Sequence, residues 1–77
     1  MSTVGEYRVG IDFNPGGNPK VTKLKTLAAE FIDTCRELRD PNSEGEVARL
    51  WALAETHMED AAMWAVKAVT KPKMSEG

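Results

Sequence analysis

Apolar residues follow two different periods along this chain. Near the start, Tyr7, Val9, Ile11 and Phe13 alternate with Arg8, Gly10 and Asp12. A period of two predicts an extended arm with one buried face. Asn14-Pro15-Gly16-Gly17-Asn18 then predicts a turn. From Pro19 to Arg39 the period lengthens. Val21, Leu24, Ala28, Phe31, Cys35 and Leu38 stand 3, 4, 3, 4 and 3 apart, with Leu27 and Ile32 widening the stripe. That spacing predicts a helix, N-capped by Asn18 with Pro19 at its first position. Arg39-Asp40-Pro41-Asn42 ends it.

A second helix is predicted from Ser43 to Thr70. Ser43 and Glu46 have the spacing of a capping box. Val47, Trp51, Ala54, Met58, Ala61, Ala65 and Ala68 make one seam, with Leu50, Leu53 and Trp64 beside it. Lys71-Pro72 stops the helix. The short connection folds the two helices into an antiparallel hairpin. The expected organisation is all-α: an arm and turn over residues 1–18, a hairpin over 19–71 and a tail over 72–77. The second helix would be about 40 Å long at ~1.5 Å per residue. A single first helix cannot cover both of its apolar faces. Either the arm covers the remainder or another subunit does; tryptophan enrichment at interfaces favours the subunit.

Composition sharpens that choice. The chain has 77 residues, of which 42% are hydrophobic. A core this small seldom supplies more than about 3–5 kcal/mol without help. One cysteine, Cys35, and one histidine, His57, leave no disulfide and no Cys/His zinc set. Assembly into a symmetric homo-oligomer remains. No apolar run approaches the ~18 residues of a membrane span. Met-Ser-Thr-Val-Gly-Glu lacks the basic and apolar regions of a signal peptide.

The net charge of −2 comes from 10 Lys+Arg against 12 Asp+Glu, which speaks against a general coat for polymeric nucleic acid. It conceals an uneven distribution. Arg8, Lys20, Lys23 and Lys25 lie at the start of the hairpin, and Lys67, Lys71 and Lys73 at its end. An antiparallel hairpin gathers them at one pole, with only Glu6, Asp12 and Glu76 as nearby acids. Lysines at a helix C-terminus complement the helix dipole. Lysines at a helix N-terminus oppose it, and an anionic ligand would offset that cost. Thr22 adds a hydroxyl there, and Tyr7 offers a flat face for a base. A solvated basic pole with no ligand fits these features equally well.

No catalytic set assembles. Glu55 and Glu59 share a helical face but His57 points elsewhere, so a solvated acidic face is the expectation. Cys35 sits on the apolar seam and reads as a small buried side chain. Gly16-Gly17 is not followed by the Gly-Lys-Ser/Thr of a P-loop. Met58, Met63 and Trp64 read as packing. The chain reads as a binder with no cofactor, not as an enzyme.

One stretch resembles a known family. Arg49 and the run Ala54-Glu55-Thr56-His57-Met58-Glu59-Asp60-Ala61-Ala62-Met63-Trp64-Ala65-Val66-Lys67-Ala68 resemble the signature of the phage anti-CBASS cyclic-nucleotide sponges. Their helical hairpin is shared with some anti-Thoeris sponges. Tyr7-Arg8-Val9-Gly10 and Phe13-Asn14 are similar to the arm of that family. The resemblance implies a hexamer of hairpins, acting in the cytoplasm of the infected bacterial host. It would sequester cyclic di- and trinucleotide messengers, cGAMP among them, without hydrolysis. It implies dinucleotide sites between subunits, where Tyr7 and Lys20 would serve. It also implies separate trinucleotide sites where three subunits meet, with Thr22 and Arg49 as candidates and Lys23, Lys25 and Thr26 as alternatives. The other reading of the same chain is an oligomeric helical regulator that grips a protein or nucleic acid by its basic pole.

Overall fold

The computed structural model describes residues 2–72. Three helices follow in order: α1 (Val4–Val9), α2 (Pro19–Leu38) and α3 (Gly45–Thr70). Lys73 and Glu76, counted above at the basic pole, lie outside the described residues, as does most of the 72–77 tail.

The arm is not extended. Its first part is the helix α1, started by a capping box that the period-two reading overlooked. The Glu6 amide donates to Thr3 Oγ1 at 3.1 Å, and the Thr3 amide donates back to Glu6 Oε1 at 2.9 Å. Gly10, at φ 63°, ends the helix, its N–H directed to the Glu6 and Tyr7 carbonyls. The apparent alternation therefore straddles a helix end. Six residues cannot hold a helix alone. Packing on α2 supplies the rest. Gly5 is buried against α2, and its amide donates to Asp33 Oδ1 at 2.7 Å. A Cβ at Gly5 would collide with the Ala29 carbonyl, so this crossing requires glycine.

Helix α2 starts as its sequence predicts. Asn18 caps it through a 2.8 Å bond from the Lys20 amide, and Pro19 occupies the first position. Helix α3 does not. The predicted Ser43/Glu46 capping box is absent, because the chain turns at Gly45 (φ 62°) and the N-cap falls on Glu44, which makes no side-chain cap bond. The Glu46 carboxylate instead takes the Arg49 Nε at 2.8 Å.

α2 and α3 pack as an antiparallel hairpin, and α1 lies along one side of it, against both helices. The core is small: Val21, Ala28, Ala29, Ile32, Cys35 and Ala62. The single predicted seam of α2 divides in two. Val21, Ala28 and Cys35 turn inward with Ile32, while Leu27, Phe31 and Leu38 stay exposed at 55%, 43% and 70%. On α3, Leu50 and Trp64 are also exposed. The narrowest dimension is 12 Å. The chain is a flat slab, the hairpin carrying α1 on one side and bare apolar surface on the other.

Candidate functional site

The position of α1 is fixed by a buried ionic cluster. Glu55, on α3, is 1% exposed. The sequence places it on a solvated acidic face; the structure corrects that. Three guanidinium groups surround it: Arg8 NH1 at 3.0 Å, Arg39 NH1 at 3.2 Å and Arg36 Nε at 3.8 Å. A buried carboxylate needs such partners, since leaving water unpaired costs several kcal/mol. Arg8 also donates from Nε to Glu59 Oε1 at 2.7 Å and from NH2 to the Thr56 hydroxyl at 3.4 Å. These bonds cross from α1 to α3. Three arginines face Glu55 and Glu59 here, and Asp33 beneath Gly5 brings the carboxylates under α1 to three.

A groove of about 450 Å³ runs along this junction. Tyr7, Arg8, Val9 and Gly10 line one wall, Phe13 and Lys25 close the end, and Glu59, Ala62, Met63 and Val66 form the floor. Tyr7 is 83% exposed at its rim. The groove offers apolar walls, one aromatic ring and fixed cations, a combination suited to a flat base carrying phosphate.

Lys25 is the unexpected member. It is 7% exposed, and its ammonium donates to the Gly10 carbonyl at 2.9 Å and to the Phe13 carbonyl. It also lies 5.4 Å from the centre of the Phe13 ring. Its charge reaches the groove while its bonds pin the loop after α1. Next along that loop, Asn14 Nδ2 donates to the Asn18 carbonyl at 2.9 Å and to the Thr22 hydroxyl at 3.1 Å. Thr22 therefore helps hold the turn.

The other candidates lie elsewhere. Lys20, Lys23 and Thr26 are exposed on α2. Lys20 shares the helical face of Leu24, Leu27 and Phe31. Ala29, under α1, is nine residues on, about half a turn round at ~100° per residue. Tyr7 and Lys20 therefore occupy opposite sides of the slab. A shallow apolar groove of about 260 Å³, lined by Leu24, Leu27, Phe31, Met58, Ala61 and Ala65, runs along the Lys20 side. Arg49 is toward the far pole, about 15–25 Å along α3 from the groove floor by the ~1.5 Å helical rise. It is exposed and paired with Glu46, whose bond holds that carboxylate below its usual value and raises the guanidinium. Within one chain, neither Tyr7 with Lys20 nor Thr22 with Arg49 can touch a single small ligand.

Sequence reasoning missed Arg8, Glu55 and Glu59 as a unit. The only local signal was the Glu55/Glu59 spacing; their partners come from distant helices. Among the described residues, no three His, Cys, Asp or Glu side chains converge as a metal site. None of the described helices is long and apolar enough to cross a membrane.

Fold and groove together define a small all-helical hairpin protein with a lateral, partly cationic groove. A family model described as "Acb2/Tad1, hairpin domain" matches residues 6–70, and the chain belongs to this family, the anti-CBASS and anti-Thoeris sponges. Family members are phage proteins that bind cyclic-nucleotide messengers rather than cleave them. No curated protein matches the chain, and no solved structure does.

Proposed function

We propose that this chain sequesters the cyclic di- and trinucleotide messengers of CBASS signalling, cGAMP among them, in an assembly of six copies inside the infected bacterium. One observation carries the reading. The aromatic ring of Tyr7 and the ammonium of Lys20 lie on opposite sides of a slab whose Lys20 side is bare and apolar. A second copy laid on that side would bury Leu24, Leu27 and Phe31. It would also bring a Lys20 toward another chain's Tyr7. Tyr7 then stacks on a base, worth about 1–3 kcal/mol. Lys20 meets a phosphate as a charge-assisted contact, about twice as strong as a neutral one. Symmetry repeats the contact on the other half of a two-fold ligand.

Thr22 and Arg49 from different copies form the trinucleotide site, with Lys23, Lys25 and Thr26 as the alternatives on α2. The Glu46–Arg49 pair is exposed, hence weak, so a phosphate can displace the carboxylate. The carboxylate that lines the groove, Glu59, is taken up by Arg8, and capture alone removes the messenger from its effector. A thermal-shift panel of cyclic di- and trinucleotides tests the reading, since a ligand that binds the native state raises the midpoint. A rise with both classes is expected. No rise with any of them, with salt-sensitive binding to a nucleic-acid polymer instead, would favour the regulator reading.

A further inference from the structure

We infer that Arg8 is a positioning residue for the proposed dinucleotide site, setting the direction in which Tyr7 is presented. The inference rests on the sponge reading for its ligand, but its geometry stands independently. Helix α1 has six residues and no stability of its own. It touches α2 through Gly5, whose amide donates to Asp33. Among the described residues, every hydrogen bond between α1 and α3 comes from Arg8. Its three donor nitrogens reach Glu59 at 2.7 Å, Glu55 at 3.0 Å and the Thr56 hydroxyl at 3.4 Å.

Gly5 and Arg8 are three apart, so both face the hairpin. Tyr7, between them in sequence, projects away, 83% exposed. Gly5 and Gly10, bonded to Asp33 and Lys25, hold the two ends of α1 on α2 and leave its roll about the line between them to be fixed. The Arg8 fork stops that roll, because its anchor, Glu55, is itself held by Arg36 and Arg39. A ring aimed in advance does not have to be ordered when the ligand arrives, which preserves affinity. Arg8 thus acts on the ligand through Tyr7, with its own guanidinium committed to the two carboxylates.

Tyr7 is the only tyrosine in the chain. Protein labelled with 3-fluorotyrosine therefore gives a single fluorine resonance that reports this ring. In Arg8→Gln the line is expected to move toward that of free fluorotyrosine, and affinity for cGAMP to fall at least tenfold. Glu55 keeps Arg36 and Arg39 in this variant, so the hairpin persists. Glu59→Gln, which disturbs only the outer end of the fork, should shift the line the same way and weaken binding less. Tyr7→Ala combined with Arg8→Gln should bind no more weakly than Tyr7→Ala alone, within about twofold, because both act through one ring. An unmoved line in Arg8→Gln, or losses that multiply in the double variant, would overturn the inference. A wild-type chain that binds no cyclic nucleotide would remove the sponge reading alone; the fluorine line would still decide whether Arg8 fixes Tyr7.

Discussion

Gly5, Glu55 and Cys35 each show how one side chain sets what its neighbours can do. At Gly5 the added methyl of Gly5→Ala meets the Ala29 backbone, which cannot swing aside as a side chain would. Overpacking of this kind costs about 1–3 kcal/mol. Denaturant titration should register it, and cyclic dinucleotide binding should weaken with it. Glu55 is the more severe case. Glu55→Ala leaves three guanidinium groups facing each other without their carboxylate. Breaking a buried pair costs about 3–5 kcal/mol; the lower end applies here, because the arginines keep roughly a third of their side-chain surface in water. The unfolding midpoint should fall accordingly. Cys35 is buried, and desolvation, reinforced by the nearby Glu55 charge, raises its thiol above 9.0. A raised folded-state value means that its contribution is complete below the unfolded thiol pKa. It is lost as pH climbs through the folded value. Stability should therefore decline above about pH 9, and native Cys35 should react slowly with Ellman's reagent until denaturant is added.

The two long helices were legible from residue order because their apolar spacing and the Asn18-Pro19 start are local signals. α1 was not. Its Thr3-x-x-Glu6 box carried the right information, yet the run Tyr7, Val9, Ile11, Phe13 mimics a strand. A six-residue helix also depends on Gly5 fitting against Ala29, which lies far along the chain. The same four-residue motif misled at Ser43-x-x-Glu46, where Gly45 moves the helix start past the serine. The two boxes make opposite predictions. Thr3→Ala should cost about 1 kcal/mol and raise amide exchange through Val4–Val9 while α2 and α3 stay protected. Ser43→Ala should change stability by less than about 0.5 kcal/mol. The division of the α2 seam was hidden for a related reason. Phe31 and Ile32 are adjacent in sequence and equally apolar, and only the placement of α3 decides which is buried.

For the molecule as a whole, the near-neutral charge resolves into parts with different duties. Arg8, Arg36 and Arg39 serve the interior carboxylate, and Lys25 serves the loop carbonyls. Lys20, Lys23, Lys67 and Lys71 remain exposed and available to an anion. In the proposed assembly, apolar surface on the Lys20 side becomes core, which is how a chain with so small a core of its own would be completed. Phe31→Glu is therefore expected to dissociate the proposed assembly, read as a smaller mass by light scattering, and to abolish ligand binding although Phe31 lies outside the proposed ligand sites. The central claim is capture without cleavage. Its most direct measurement is chromatography of cGAMP incubated with excess protein, before and after heat denaturation. The account predicts that free cGAMP disappears on incubation and returns intact and in full when the protein unfolds. Linear nucleotides in the heated sample, or cGAMP left free throughout, would contradict it.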